Sequence, residues 1–434
     1  MTPITAAIIS VPFMVFLFIM RMPVAYAMGL TGFLGFSYVA SVGGGLSLVA
    51  RDLWALFSSY SLSVVPMFVF MGTTAFYSGM SGRLFDVAFK FMGHLRGGIC
   101  LATIFACAGF GAICGSTNAA AAAMGKVTLP EFKKHHYDDS LATGCVAAAG
   151  TLAVLIPPST ILIIYGILTE GSIGKLFAAG ILPGLLLTTL FAIAVHVVCW
   201  FKPALAPRGA KSTWKERIVS LPSVIGVAIL FFFVMAGLFT GWFTPTEAGA
   251  AGAGGALIIS LLTRTLTWQG FLNSLADTTR ISAMVFLIVT GGTIYGHFLA
   301  ITRLPFELSA WVGGLPLHPN AIMGLIIFGY IIGGCFMDSL AMVTFTIPIL
   351  YPMVKSLGFH PIWFGVIIVL VCEMGAISPP VGINVYVIQG VAPDVPMETI
   401  FRGAYPFLIA LIVCSVLLVA FPQIVLFLPS FITY

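Results

Sequence analysis

The chain is a succession of apolar segments about 20 residues long, joined by short loops that hold most of its few charges. Hydrophobic residues make up 60% of the 434 positions, charged residues make up 8%, and the mean hydropathy is +1.11. Because one crossing of a bilayer needs roughly 20 mainly apolar residues, this pattern predicts an all-α polytopic membrane protein. We predict ten spans, at 4–20, 24–42, 60–80, 140–169, 181–201, 219–241, 246–263, 281–300, 361–391 and 405–428.

Two further apolar stretches, 97–130 and 321–350, are interrupted by polar residues near their centres. The first contains Gly-Ser-Thr-Asn, beginning at Gly115, and the second contains Met-Asp-Ser, beginning at Met337. Each half is shorter than a full crossing, so we interpret both stretches as re-entrant helical hairpins whose tips stop near the middle of the membrane.

The Lys and Arg residues are distributed unevenly between the two predicted faces. With an external N-terminus, ten spans and two non-crossing hairpins, 15 of the 19 fall on the inner face, as the positive-inside rule requires of short loops. Both termini are then predicted to be periplasmic. The net charge of +5 lies in these loops, so it reflects topology and indicates no nucleic-acid partner. The eight cysteines lie in apolar stretches without metal-ligand spacing, which argues against disulfides or a zinc site.

An internal duplication with an offset of about 220 residues relates the two halves of the chain. The matches keep the same order along both halves; they include Asn118 with Asp338, Pro157-Pro158 with Pro379-Pro380, and Gly180 and Pro183 with Gly403 and Pro406. We therefore divide the chain into a first unit (1–202), a basic cytoplasmic linker (203–218) and a second unit (219–434).

Each unit holds about five spans and one hairpin, and five is an odd number, so the second unit is inverted relative to the first. Inverted repeats of this kind are typical of secondary transporters. Short amphipathic stretches at 84–93, 268–277, 306–313 and 398–403 are predicted to be interfacial helices that link moving hairpins to a static frame.

In each unit the hairpin is followed by a span that contains a Pro-Pro pair. Proline removes a backbone donor and clashes with the carbonyl one turn back, so two prolines beside glycines predict a local break in the helix. Carbonyls freed inside a membrane need a partner, and backbone oxygens at broken helices coordinate Na⁺ in other transporters.

The polar residues at the tips can cap helices, bind ligands or do both. Ser116, Thr117 and Asn118 offer hydroxyl and amide oxygens that serve either purpose. Asp338 is an acid inside the membrane, which is costly unless a cation pairs with it or it is protonated, so we favour a functional role over capping alone. For Glu373, also within an apolar span, a coupling-ion role and pairing with a partner subunit both stay open.

The tips and broken spans together resemble those of the large membrane subunit of TRAP transporters, the tripartite ATP-independent periplasmic carriers. The resemblance rests on the Gly-Ser-x-x-Ala tip, the LIPPS segment, the FMD tip and the PPVG-x-N segment, and it covers essentially the whole chain. It implies Na⁺-coupled uptake of a small organic anion, such as a dicarboxylate or a sialic acid, by an elevator mechanism across the bacterial inner membrane. It also implies two partners, a small four-helix membrane subunit and a periplasmic substrate-binding protein.

The resemblance also assigns site residues by position. The first sodium site would involve Ser116, Asn118 and the backbone around Ala153, Ile156 and Pro158; the second would involve Gly334, Asp338 and the backbone around Gly375, Ser378 and Val381. Thr117, Ser159 and Asn384 are the candidates for substrate binding. Ala153 stands where the family commonly has glycine, and alanine restricts the backbone more than glycine does.

Three other classes of function compete with this interpretation. A stand-alone Na⁺/dicarboxylate carrier with similar hairpins would need no binding protein. An intramembrane enzyme would need clustered acids or a Ser, His and Asp set, and none of the 14 acids forms such a cluster within a span. A structural scaffold has no use for duplicated broken helices. We therefore expect no enzymatic activity and no cofactor, with Na⁺ as the coupling ion.

Overall fold

The computed structural model describes residues 2–209, 211–314 and 316–432, and the regular structure within these ranges is helical throughout. Six of the described helices are long and apolar enough to cross a membrane, or up to eight if each of two bent helix pairs is one span. Helices satisfy their own backbone hydrogen bonds, as a chain in lipid must. The predicted fold class, an all-α polytopic membrane protein, is confirmed.

The first unit contains eleven of the described helices. They are α1 (Pro3–Ile19), α2 (Val24–Val39), α3 (Val42–Phe57), α4 (Val64–Tyr77), α5 (Met80–Met92), α6 (Gly98–Cys114), α7 (Thr117–Lys134), α8 (Asp139–Gly150), α9 (Leu152–Leu155), α10 (Thr160–Leu168) and α11 (Ile173–Phe201).

The linker and the second unit contain the other eleven. They are α12 (Trp214–Ser220), α13 (Pro222–Phe239), α14 (Pro245–Leu262), α15 (Trp268–Thr302), α16 (Leu304–Gly313), α17 (Pro319–Phe336), α18 (Ser339–Ser356), α19 (Pro361–Ala376), α20 (Ile383–Val391), α21 (Met397–Ala420) and α22 (Gln423–Leu426). Helices α13, α14, α17 and α19 begin at proline, which is favoured in a first turn because the N–H there needs no helical partner.

The helices follow the same order in the two units. A hairpin pair (α6 and α7, or α17 and α18) is followed by a broken helix (α8 to α10, or α19 and α20) and then by a long helix (α11 or α21). This order agrees with the duplication, while the opposite orientation of the two units in a membrane stays a prediction.

Three sequence-based details differ from the structure. Segments 268–277 and 398–403 are not separate interfacial helices, because each is the start of a longer continuous helix, α15 or α21. Helix α3 was not anticipated, since its mixture of glycines with Arg51 and Asp52 gives no clear apolar run. The linker is not simply an extended polar loop: Thr213 and Glu216 form a capping box that begins α12.

The helices of the two hairpins are longer than the sequence suggested. Helices α17 and α18 have 18 residues each and are long and apolar enough to cross a membrane. Our premise that each half is too short to cross is therefore wrong for the second hairpin. Its re-entrant character stays a prediction, supported by the packing at its tip.

The helices group into two bodies with arms between them. Helices α1–α4 and α13–α15 pack mainly on one another and form the body that we call the frame. Helices α6–α11 and α17–α21 form the second body, which we call the core. Helices α5 and α16 are the arms, and they pack against the hairpin helices α6 and α18.

Candidate functional site

A cavity of about 630 Å³ lies where the frame meets the core, at the tips of the two hairpins. Helices α2, α4 and α15 provide one wall, and the tips provide the other. The cavity is large enough for a small metabolite. Its polar and charged lining residues are Tyr26, Thr73, Ser116, Thr117, Asn118, Thr160, Arg280, Asp338, Ser339 and Glu373.

The first tip is a sharp reversal between α6 and α7. Gly115 ends α6 with a φ of +63°, which favours glycine, and a Cβ there would lie 2.5 Å from the Pro158 carbonyl oxygen. Ser116 precedes α7 in an extended conformation, but its side chain makes no capping hydrogen bond. The Ser116 hydroxyl is therefore free of a capping role and can offer its oxygen to a cation.

The second tip is capped by Asp338. Its Oδ2 accepts a hydrogen bond from the Leu340 N–H at 3.1 Å, and its Oδ1 accepts one from Asn118 Nδ2 at 3.2 Å. Asp338 therefore caps α18 and also joins the two tips. Because Ser116 and Asp338 are the N-cap residues of α7 and α18, the structural counterpart of Asp338 is Ser116, and the match with Asn118 inferred from the sequence is displaced by two residues.

Glu373 completes the connection between the tips. This residue of α19 is only 1% exposed. Its Oε2 accepts a hydrogen bond from Thr117 Oγ1 at 3.0 Å, and its Oε1 accepts one from Ser339 Oγ at 2.9 Å. The sequence signalled this residue only as an acid within an apolar span; its two hydroxyl partners are distant in the chain and could not be inferred from spacing.

The first broken helix lies directly against the first tip. The peptide bond between Pro157 and Pro158 is cis, and α9 ends before it with Ile156 in an extended conformation. Beyond the break, the Thr160 N–H donates to the Gly115 carbonyl at 3.2 Å. Of the predicted backbone ligands of the first sodium site, Pro158 lies beside Gly115 at the first tip, and the site itself stays a prediction.

The backbones of each hairpin and of the broken helix that follows it lie very close together. A Cβ on Gly111 would lie 2.6 Å from the Ala153 Cα, and a Cβ on Gly375 would lie 2.2 Å from the Gly334 carbonyl carbon. These contacts occupy corresponding places in the two units. Ala153 lies in a helix and has no positive φ, so alanine meets no backbone restriction at that position.

The second broken helix is built on the same plan. The peptide bond between Pro379 and Pro380 is cis, and Gly382 has a φ of +63° immediately before α20. Ser378 Oγ donates to the Met374 carbonyl at 2.6 Å, and Val381 lies between the break and α20. The α19 end that carries Gly375 therefore lies beside the α17 end that carries Gly334.

Only one of the three substrate candidates lines the cavity, namely Thr117. Ser159 is fully buried and caps α10 by accepting a hydrogen bond from the Leu162 N–H at 3.3 Å. Asn384 is also fully buried, and its Nδ2 donates to the Ala147 carbonyl at 3.2 Å. In this conformation Ser159 and Asn384 do not reach the cavity.

The wall opposite the tips carries one cationic side chain, Arg280 of α15. Within the described ranges no carboxylate forms an ion pair with it. Sequence reasoning counted Arg280 only as a loop charge on the inner face. The sequence did not indicate the length of α15. Its 35 residues extend over roughly 52 Å, which is longer than the hydrocarbon core of a bilayer is thick.

Comparison with known families decides the assignment. Residues 11–424 match the family model described as "Tripartite ATP-independent periplasmic transporter, DctM component". The chain belongs to this family.

Relatives of known name are similar over most of their length. The C4-dicarboxylate TRAP transporter large permease protein DctM of Pseudomonas aeruginosa is 31% identical over 88% of this chain and 89% of its own length. The sialic acid TRAP transporter large permease protein SiaM of Vibrio cholerae is 32% identical over 89% of this chain and 90% of its own. These relatives are transporter permeases. The predicted TRAP large membrane subunit is therefore confirmed, and the chain is a multi-pass protein of the bacterial inner membrane.

A solved structure shares the fold at low sequence identity. The YdaH transporter of Alcanivorax borkumensis matches with a TM-score of 0.64 and 13% identity, covering 88% of this chain and 89% of that one. At this identity the likeness concerns the arrangement of helices alone.

Proposed function

We propose that the chain is the transport subunit of a TRAP system that moves a small organic anion inward, coupled to Na⁺, by an elevator motion of the core against the frame. The observation that carries this proposal is the cavity at the boundary between the two bodies. One wall consists of hairpin tips rich in oxygen atoms, and the other carries Arg280. A substrate bound in this cavity would contact both the core, which we propose to move, and the frame, which we propose to stay fixed.

The chemistry of the tips favours an alkali cation as the coupling ion. No three His, Cys, Asp or Glu side chains come together as a metal site in the described part of the chain. The tips instead offer the Ser116 hydroxyl, the Asn118 amide and the Asp338 carboxylate beside two interrupted helices. Hydroxyl, amide and carbonyl oxygens at helix ends suit a dehydrated Na⁺ ion.

Contacts between distant segments support the predicted orientation. Three contacts join segments predicted to lie inside, namely Lys133 with Asp394, Asp138 with Leu205, and Gly209 with Gly93. Two join segments predicted to lie outside, namely His297 with Asp52, and Tyr165 with Pro361. Pro23 and Arg280 lie at the inner ends of the predicted spans 24–42 and 281–300, and both line the cavity. We therefore assign this conformation to the inward-facing state, with both termini periplasmic.

We further propose that transport requires a small four-helix membrane subunit and a periplasmic substrate-binding protein. The support is family membership, since the related large permeases are named as parts of TRAP transporters. The test is to reconstitute the chain in liposomes with an imposed Na⁺ gradient, first alone and then with both partners. We expect accumulation of substrate only with both partners present. Robust accumulation by the chain alone would instead support a stand-alone carrier.

A further inference from the structure

Glu373 accepts one hydrogen bond from each of the two hairpin tips. Thr117 and Ser339, which donate to its two oxygens, are the first residues of α7 and α18. These two positions correspond in the duplication, because Ser116 and Asp338 are the respective N-cap residues. A single carboxylate therefore lies between two helix N-termini, which both carry partial positive charge.

The charge of Glu373 has no full compensation within the described chain. No Lys, Arg or His forms an ion pair with it, and Asp338, a second acid that lines the same cavity, adds negative charge when ionised. Two hydroxyl groups and two helix ends stabilise an ionised carboxylate only in part, because burial removes it from water. A buried acid of this kind needs either a proton or a cation nearby, so a cation at the tips would favour its ionised form.

We infer that Glu373 is the shared counter-charge of the two proposed sodium sites, a positioning residue that strengthens Na⁺ binding at both tips without ligating either ion. Each of its oxygens accepts one hydrogen bond, from Thr117 or from Ser339, and these two bonds fix the carboxylate between the tips. This inference rests on the proposed function, since it takes Na⁺ as the coupling ion.

The inference supplies a physical reason for coupling. Without Na⁺, ionised Glu373 and Asp338 would make the tip side of the cavity negative and would repel an anionic substrate. Na⁺ at the tips cancels this charge and leaves Arg280 on the opposite wall to attract the anion. Bound Na⁺ would therefore raise the affinity for the anion, and the bound anion would raise the affinity for Na⁺ by the same factor.

The test uses Na⁺ alone as the probe, because no substrate need be known. The full-length chain is purified in detergent, and its apparent melting temperature is titrated with NaCl, with choline chloride keeping the ionic strength constant. A ligand that binds only the folded state stabilises it by RT ln(1 + [L]/Kd), so the rise in melting temperature across the titration gives the apparent Kd. The half-saturating Na⁺ concentration of the folded state, which is this apparent Kd, is the quantity compared among variants, because it is fitted separately from the stability of the chain without Na⁺.

We expect Glu373→Gln, which keeps the shape of the side chain and removes its charge, to raise the half-saturating Na⁺ concentration about tenfold or more. Thr117→Val and Ser339→Ala each leave the charge but free one oxygen, and each should raise it by a smaller factor. Glu398→Gln, at an exposed position at the start of α21, is the matched control and should match the wild type.

The outcomes separate the inference from the proposed function. A wild-type chain that Na⁺ stabilises no better than choline contradicts Na⁺ coupling itself. A wild-type chain that Na⁺ does stabilise, with Glu373→Gln giving the same titration, overturns the role of Glu373 alone. Should Glu373→Gln fail to fold, as judged by size-exclusion chromatography, Thr117→Val decides: an unchanged titration there rejects the shared counter-charge.

Discussion

Asp338 and Glu373 are two acids of different character at one site. Asp338 is partly exposed to the cavity, caps α18 and accepts from Asn118. Glu373 is buried behind the tips and accepts two hydroxyl hydrogen bonds. This difference is the basis on which we propose that Asp338 contacts the cation directly and that Glu373 acts through its charge.

Replacing Asp338 tests the first of these assignments. Asp338→Asn keeps the shape but removes the charge that offsets dehydration of the ion. It should abolish Na⁺-dependent uptake or weaken it greatly while the protein stays inserted in the membrane. Asn118→Ala removes only a neutral donor and should be milder. The measurement is the Na⁺ dependence of uptake in the reconstituted three-component system. Normal uptake by Asp338→Asn would reduce this residue to a helix cap.

Arg280 offers a second test at the level of one side chain. As the single cationic group among the described residues that line the cavity, it should attract the carboxylate of the substrate. Arg280→Gln is expected to weaken substrate affinity from the cytoplasmic side about tenfold, measured by counterflow in proteoliposomes. The control is Arg402→Gln, an exposed arginine outside the cavity lining. Equal affinities in the two variants would restrict Arg280 to a topological role.

At the scale of helices, the two units place the same kind of contact at each tip. In the first unit Ala153 meets Gly111, and in the second Gly375 meets Gly334. The first contact includes one methyl group, the side chain of Ala153, whereas the second contact is formed by two glycines. We propose that the close approach of Gly334 and Gly375 sets the backbone positions around the second sodium site.

Adding one methyl group at the second contact tests this reasoning. In Gly375→Ala the new Cβ would lie 2.2 Å from the Gly334 carbonyl carbon, so α17 must move away from α19. Overpacking of this kind costs about 1–3 kcal/mol, and we expect a lower melting temperature together with weaker Na⁺ binding. Gly329→Ala in α17, where nothing lies within 4 Å of the added Cβ, is the control. A Gly375→Ala protein with unaltered Na⁺ affinity would contradict the proposed second site.

The sequence predicted the helices and their breaks better than the contacts between them. The Pro-Pro pairs and the glycines at the tips indicate where helices are interrupted, because these residues change the backbone only locally. The hydrogen bonds of Glu373 to Thr117 and Ser339 depend on tertiary packing that no spacing encodes. For the same reason the sequence did not place Arg280 on the cavity wall. It also did not show that Ser159 and Asn384, the substrate candidates beside the breaks, are buried in capping and backbone contacts.

At the scale of the whole molecule, the cavity lies on the boundary between frame and core. The hairpin tips belong to the core, whereas α2, α4 and α15 belong to the frame. An elevator motion would carry the tips and their ions along this boundary and leave Arg280 behind. Release of the anion would then depend on the frame, and binding of Na⁺ on the core.

The opposite orientation of the two hairpins is the premise on which this motion depends, and it can be tested directly. Lys134 at the end of α7 should face the cytoplasm, and Lys355 at the end of α18 should face the periplasm; both side chains are exposed. The eight native cysteines are all buried, so background labelling should be low. In intact cells, a membrane-impermeant maleimide should label Lys355→Cys and spare Lys134→Cys, and permeabilisation should equalise the two. Equal external labelling would place both hairpins on one side and remove the physical basis for alternating access by inverted repeats.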